Sequence, residues 1–342
     1  MIILTEGNTT ALFQVFDQST KALMQALDIS YLDAFIETAD NMIDNNTVRV
    51  EDGIPSEKVV KELVDLYKTV DYKKMDAPSI RRAIQMVMIK AIKVDKIQST
   101  HQITPDTIAY IMGYLIIRLY KNKTKVSILD PVVGSGNLLT AVMNQLHDEI
   151  HEEVKGYGVD NDDSMISVAS ISAQMQGLDI ELIHQDSVGD EIMIPNVDLV
   201  VADLPIGYYP IDENAKKYKT HAENGHSYVH HLLLEQSISY LKDGEFGVFL
   251  VPSNLFQTPE AKGLLSWMQD NVYLQGILNL PKELFLNDSA QKAIMILQKH
   301  GNGAKQADKV MLGEFPSFKD TNAFQKFMAE IVDWEEKDLL KK

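Results

Sequence analysis

The chain has 342 residues, 45% hydrophobic and 24% charged, a composition that excludes a disordered or fibrous polymer and leaves room for two globular domains. It has no cysteine, which excludes disulfides, thiolate metal sites and a thiol nucleophile, and suits a reducing cytoplasmic location. Its 32 Lys and Arg against 49 Asp and Glu give a formal net charge of −17, which weighs against a broad nucleic-acid footprint.

The first residues, Met1-Ile2-Ile3-Leu4-Thr5-Glu6, lack a basic segment and do not read as a signal peptide. Apolar spacing near 3.6 predicts helices over 11–27, 31–43, 59–67 and 80–92, with breaks at Asn45-Asn46-Thr47 and Gly53-Ile54-Pro55. Nothing in this stretch carries chemistry. Residues 1–98 therefore read as a helical N-terminal domain, a cap or a module for a protein partner or a homodimer. The apolar run 108–117 stops at Arg118 and is too short to cross a bilayer, so no membrane partner is expected. Residues 99–342 read as an α/β domain. Short apolar runs at 126–129, 156–159, 180–183, 197–201, 246–251, 272–278 and 293–297 alternate with helical stretches, which predicts a mostly parallel, Rossmann-like sheet of seven strands.

Ile128-Leu129-Asp130-Pro131-Val132-Val133-Gly134-Ser135-Gly136-Asn137 closes the first strand and opens a helix. Its glycines let a ligand approach the backbone, and the helix start offers unpaired N–H groups. A nicotinamide fingerprint would need a third glycine where Leu139 stands. Asp130 at the strand tip suits a cationic, amine-bearing ligand. The second strand ends at Asp160-Asn161, and the Asp160 carboxylate can accept ribose hydroxyls. The third strand ends in His184-Gln185-Asp186-Ser187, where Asp186 can accept an adenine amino group. Upstream, Thr104-Pro105-Asp106 reads as a helix start with Thr104 at the cap and Pro105 at the first helical position, an anion site.

The fourth strand, 197–202, runs into Asp203-Leu204-Pro205-Ile206-Gly207-Tyr208-Tyr209. The order of Thr-Pro helix, Asp-Pro-x-x-Gly-Ser-Gly, Asp160, Asp186 and Asp-x-Pro resembles the N6-adenine-specific DNA methyltransferases, and most of all the modification subunits of type I restriction enzymes and their stand-alone bacterial relatives. The resemblance covers roughly residues 100–300, including Leu280-Pro281-Lys282-Glu283-Leu284-Phe285 and the strand after it. It implies an S-adenosylmethionine-dependent methyltransferase. The cofactor would lie against Thr104, Pro105, Asp130, Pro131, Gly134, Ser135, Gly136, Asn137, Asp160, Asn161, Asp186, Ser187 and Asp203.

In that family an acidic or amide side chain and a main-chain carbonyl accept the two hydrogens of the target amino group, and an aromatic ring stacks on the flipped base. Asp203, Leu204 and Pro205 match this pattern, with Leu204 in place of the first proline. Ile206 replaces the aromatic, and Tyr208 or Tyr209 could take over. The expected reaction is methylation of an exocyclic amino group, with adenine N6 in DNA as the target. RNA, a protein amide, or cofactor binding without turnover are the alternatives. The residues after 297 form no reader domain in this reading, so DNA binding by the chain alone is expected to be weak. Lys216-Lys217-Tyr218-Lys219 is the one locally basic segment. His221, His226, His230 and His231 lie nearby without a ligand pattern, and no metal is expected.

Overall fold

The computed structural model describes residues 2–97, 103–150, 153–285 and 290–340. In chain order the elements are α1 (Ile2–Leu27), α2 (Tyr31–Ile43), α3 (Glu57–Tyr67), α4 (Ala77–Val94), α5 (Asp106–Tyr120), β1 (Lys125–Asp130), α6 (Asn137–Ile150), β2 (Glu153–Asp160), α7 (Asp163–Gln176) and β3 (Ile180–His184). There follow β4 (Val197–Asp203), α8 (Asp212–Ala215), α9 (Val229–Tyr240), β5 (Leu241–Pro252), α10 (Ala261–Asn271), β6 (Val272–Asn279), β7 (Lys292–Lys299), β8 (Met311–Glu314) and α11 (Thr321–Trp334). No helix among the described residues is long and apolar enough to cross a membrane.

The chain forms two compact units, Met1–Lys125 with Val133–His184, and Val126–Val132 with Gln185–Lys342. In the first, polar side chains cap the starts of α2, α4 and α7. Ser30 Oγ accepts the Asp33 N–H at 3.0 Å to begin α2, and Asp95, just past α4, takes the N–H groups of Tyr31 and Leu32 at 3.0 and 2.8 Å. Asp76 Oδ1 caps α4 through the Ser79 N–H at 2.9 Å. Asp162 opens α7, and Gly177, at φ +69°, closes it in the left-handed conformation that a side chain resists. Helices α1 to α4 bury one core, with Phe16 and Phe35 edge to face at 5.2 Å, and Met165, Val168, Ile171 and Met175 of α7 belong to the same core. In this unit β2 and β3 run parallel, with Asp160 opposite His184.

The second unit holds the sheet order β1-β4-β5-β7-β6-β8. β1, β4 and β5 are parallel, and Asp203 at the end of β4 stands opposite Leu250. β7 is antiparallel to both β5 and β6, with Lys292 opposite Pro252, and β8 returns parallel to β6. The α/β class, the mostly parallel pairing and the helical N-terminal region agree with the sequence reading.

Four details differ. α1 begins at Ile2 and not at 11, because the weak helix formers Gly7-Asn8-Thr9-Thr10 interrupt the apolar pattern without ending the helix. Among the described residues the strands number eight and not seven, because β8 (Met-Leu-Gly-Glu) alternates exposure at the sheet edge and has no apolar run to announce it. α5 begins at Asp106 with Pro105 as its cap, so Thr104 and Pro105 each stand one position earlier than expected; a ψ of 142° keeps Pro105 out of the helix. β5 starts five residues early, through the polar Lys242-Asp243-Gly244-Glu245, because Leu241 pairs with Val197. The expected boundary between 98 and 99 lies outside the described residues.

Phe35 is fully buried against Phe16. Phe35→Ala should cost about 3–5 kcal/mol of stability in urea unfolding. A loss below about 1 kcal/mol would contradict the packing described for the helical core.

Candidate functional site

In the first unit the glycine turn leads into α6 and is hydrogen-bonded to the end of β2. The Val133 N–H donates to the Val159 carbonyl at 2.9 Å, and the Gly134 N–H donates to Asp160 Oδ2 at 2.9 Å. Gly134 and Gly136 have φ of +51° and +77°, in the region that favours glycine. A Cβ on Gly134 would meet nothing within 4 Å, so the backbone there faces open space; a Cβ on Gly136 would press on Ala169 Cβ at 3.3 Å. Ser135 is half-buried between them. The other oxygen of Asp160 accepts the Asp162 N–H at 2.9 Å, while Asn161 is exposed, with its carbonyl 3.1 Å from His184 Nε2.

Asn137, the first residue of α6, is buried. Its Nδ2 donates to the Thr104 carbonyl at 2.8 Å, and its Oδ1 accepts from Arg81 Nη1 at 2.9 Å. Arg81 also pairs with Asp106 at 2.8 Å. Thr104, Asp106, Asn137 and the glycine turn are thus brought together by α4, and Pro105 stays exposed beside them. The open turn, the Asp160 carboxylate beside it and the buried guanidinium fit a nucleoside that carries a charged amino-acid tail.

In the second unit Asp130 is 1% exposed, and its Oδ1 accepts the Val132 N–H at 3.1 Å. The Pro131 carbonyl accepts from Ser187 Oγ. Asp186 takes the Val188 N–H at 2.9 Å on one oxygen and the Tyr209 hydroxyl on the other. Burial first, and then the Asp186 carboxylate, push Tyr209 up to about 12, so it stays a donor.

Asp203, half-buried, is ion-paired with Lys292 of β7. Leu204 is fully buried, with its N–H on the Leu250 carbonyl at 3.0 Å, which continues the β4 ladder one residue past Asp203. Beyond Pro205 the loop is sewn to the segment before α9. Tyr208 and Tyr228 form an antiparallel bridge, the Tyr209 N–H reaches the Ser227 carbonyl at 2.8 Å, and the Val229 N–H reaches the Gly207 carbonyl at 3.0 Å. This separates the two tyrosines. Tyr209 is 5% exposed, whereas Tyr208 is 57% exposed and stacked on Tyr228 with centroids 4.7 Å apart.

Lys292, Arg81 and Tyr228 escaped the sequence reading. Arg81, a charge inside an apolar helical pattern, was the one available signal. The lysines of the basic segment are partly spent locally, Lys216 on Glu213 at 2.6 Å and Lys217 on the Gly189 carbonyl at 2.6 Å. Among the described residues no group of three His, Cys, Asp or Glu could hold a metal.

Comparison with known proteins gives two family matches: a model described as N-6 DNA Methylase over residues 89–331, and one described as a YtxK N-terminal helical domain over residues 10–92. The Bacillus subtilis (strain 168) protein YtxK, named there as uncharacterized, is 32% identical over 335 residues, 98% of this chain and 100% of that one. The type I restriction enzyme MjaVII methylase subunit of Methanocaldococcus jannaschii is 24% identical over 257 residues; the match takes 71% of this chain and spans only 44% of that protein. Among solved structures, a candidate class I S-adenosylmethionine-dependent methyltransferase from Listeria monocytogenes is 36% identical, covering 96% of this chain and 99% of that one at a TM-score of 0.89. A type I restriction-modification methyltransferase subunit from Streptococcus thermophilus shares the fold at 12% identity, covering 96% of this chain and 88% of that one at a TM-score of 0.64.

His231, on α9, is 1% exposed, and neither ring nitrogen has a hydrogen-bond partner among the described residues. Burial pushes its pKa down to about 4. The unfolded ring takes up a proton near 6.5, so this stabilisation is complete above about pH 6.5 and is lost as the pH falls towards 4. His231→Phe should therefore lose about 2 kcal/mol less than the native protein between pH 7 and 4.5, read from urea midpoints. Identical pH slopes for the two proteins would refute the assignment.

Proposed function

We propose that this chain, which belongs to the N-6 DNA methylase family and takes S-adenosylmethionine as its cofactor, methylates the exocyclic N6 of adenine in DNA. The observation that carries the reading is the end of β4, where Asp203-Leu204-Pro205 follows a parallel strand whose last residue presents a half-buried carboxylate. Strand ends of this kind are where open α/β sheets receive ligands. The cofactor supplies an electrophilic methyl group on a sulfonium. Asp203 accepts one hydrogen of the target amine and the Leu204 carbonyl accepts the other, which aims the nitrogen lone pair. This is positioning, so no strong base is needed. Lys292 orients Asp203 through their ion pair. Pro205 stiffens the backbone after Leu204.

On the cofactor side, Gly134, Ser135 and Gly136 let the backbone approach, Asp160 and Asn161 serve the ribose, and Asp186 with Ser187 serves the adenine. Asp130 and Pro131 close the turn. Tyr209 holds Asp186 and so belongs to this side.

A target adenine must leave its stack to reach such a site. Ile206 offers no ring, but Tyr208 offers an exposed π face already stacked on Tyr228. With a net charge of −17, and with Lys216 and Lys217 engaged locally, phosphate contacts are few. DNA is then held weakly by the chain alone, and a protein partner, or a second copy joined through the N-terminal helices, strengthens the grip in the cytoplasm. One observation favours a second reading, cofactor binding without turnover: the Asp203 carboxylate already carries an ammonium partner.

The test is transfer of labelled methyl from S-adenosylmethionine to DNA, RNA and protein pools. DNA is expected to take the label at adenine. Asp203→Ala should lower turnover by about 100-fold or more, as expected for lost positioning, with S-adenosylhomocysteine affinity near normal. Tyr208→Ala should lose about 10-fold or more, the worth of one stacked base. Label in RNA or protein alone would replace the substrate, and tight cofactor binding with no transfer to any pool would favour the second reading.

A further inference from the structure

Arg81 projects from α4 with 2% of its surface exposed, and its Nη2 is buried without a hydrogen-bond partner among the described residues. Its Nη1 donates to Asp106 Oδ1 at 2.8 Å and to Asn137 Oδ1 at 2.9 Å. Asp106 is the first residue of the 15-residue α5, and Asn137 is the first of the 14-residue α6. One guanidinium therefore bonds to the first residues of two helices. Both N-termini carry partial positive charge, and the guanidinium adds a full one. A buried donor of a charged group left unpaired costs free energy that the fold does not recover by itself. An anion relieves all three terms at once, and Nη2 is the guanidinium nitrogen left to donate to it.

The cofactor has one anionic group, the α-carboxylate of its methionyl end, on a carbon that also bears an ammonium. The Arg81 cluster includes the opposite charge as well. Asp106 is 26% exposed and lies against Arg81, so cation and anion stand side by side. Asn137 directly follows Gly136, which links the cluster to the glycine turn without an intervening residue. We propose that Arg81 and Asp106 form the subsite for the amino-acid end of S-adenosylmethionine, Arg81 taking the α-carboxylate and Asp106 the α-ammonium. A residue of the N-terminal helices is then part of the cofactor site. The inference rests on the cofactor and not on the choice of DNA as substrate.

The experiment is calorimetry on the full chain with three ligands: S-adenosylhomocysteine, its methyl ester, and 5′-methylthioadenosine, which keeps the nucleoside thioether and lacks the amino-acid end. For the native protein, the ester is expected to bind about 10-fold or more weakly than the acid, the effect of losing hydrogen bonds to a charged group. Arg81→Met should weaken S-adenosylhomocysteine by about 10- to 100-fold and leave 5′-methylthioadenosine within about twofold, with Arg81→Lys in between. Equal losses for both ligands would make Arg81 a structural strut and overturn the proposal, as would an unchanged S-adenosylhomocysteine affinity. If Arg81→Met does not fold, the acid and ester on the native protein decide, and equal affinities overturn it. A native protein that binds none of the three ligands would remove the cofactor itself. Normal binding with no methyl transfer to DNA would leave the subsite standing and remove only the substrate reading.

Discussion

The hydrogen bond from the Gly134 N–H to Asp160 Oδ2 organises the glycine turn of the first unit. One carboxylate at the end of β2 holds the glycine turn with one oxygen and, through the Asp162 N–H, holds the entry to α7 with the other. α6 and α7 therefore start from a shared acidic anchor. The turn has no latitude at Gly136, where Ala169 of α7 is already at contact distance from a hypothetical Cβ. It has full latitude at Gly134, where nothing opposes a ligand. Tight packing on one side and open space on the other make a rigid cradle.

The loop after β4 illustrates a different constraint. Backbone bonds to residues 227–229 fix which way each side chain points. Successive residues of an extended chain face opposite sides, so of two adjacent tyrosines one must turn in and the other out. Tyr209 turns in and becomes a hydrogen-bond donor to Asp186; Tyr208 turns out and becomes a platform on Tyr228. Behind the loop His230 is buried, its pKa pushed down to about 3 by that burial, and it bonds to the Pro205 backbone. A neutral ring there supports the motif without adding charge next to Lys292 and Asp203.

The N-terminal helices are tied to the remainder of the first unit by apolar packing and by the Arg81 guanidinium. Four residues of α7 share their core, and Arg81 bridges α4 to the first residues of α5 and α6.

Much of this protein was legible without coordinates. Period-3.6 and period-2 apolar patterns record which faces are buried, so helices α2 to α4 and the strands from β1 to β7 other than β5 were readable to within a few residues, while α1 and β5 begin nine and five residues before their apolar patterns do, and the acidic strand tips followed from where those runs stop. The tertiary structure alone decided three things. β8 forms because β6 offers a free edge to a segment too short and too polar to mark itself. Lys292 meets Asp203 because β7 inserts beside β5, joining residues 89 positions apart in the chain. Tyr208 and not Tyr209 is exposed because the loop is bonded to residues 227–229. Each of these is a pairing between distant segments, and periodicity, being a property of neighbours along the chain, carries no information about which distant segment will meet it.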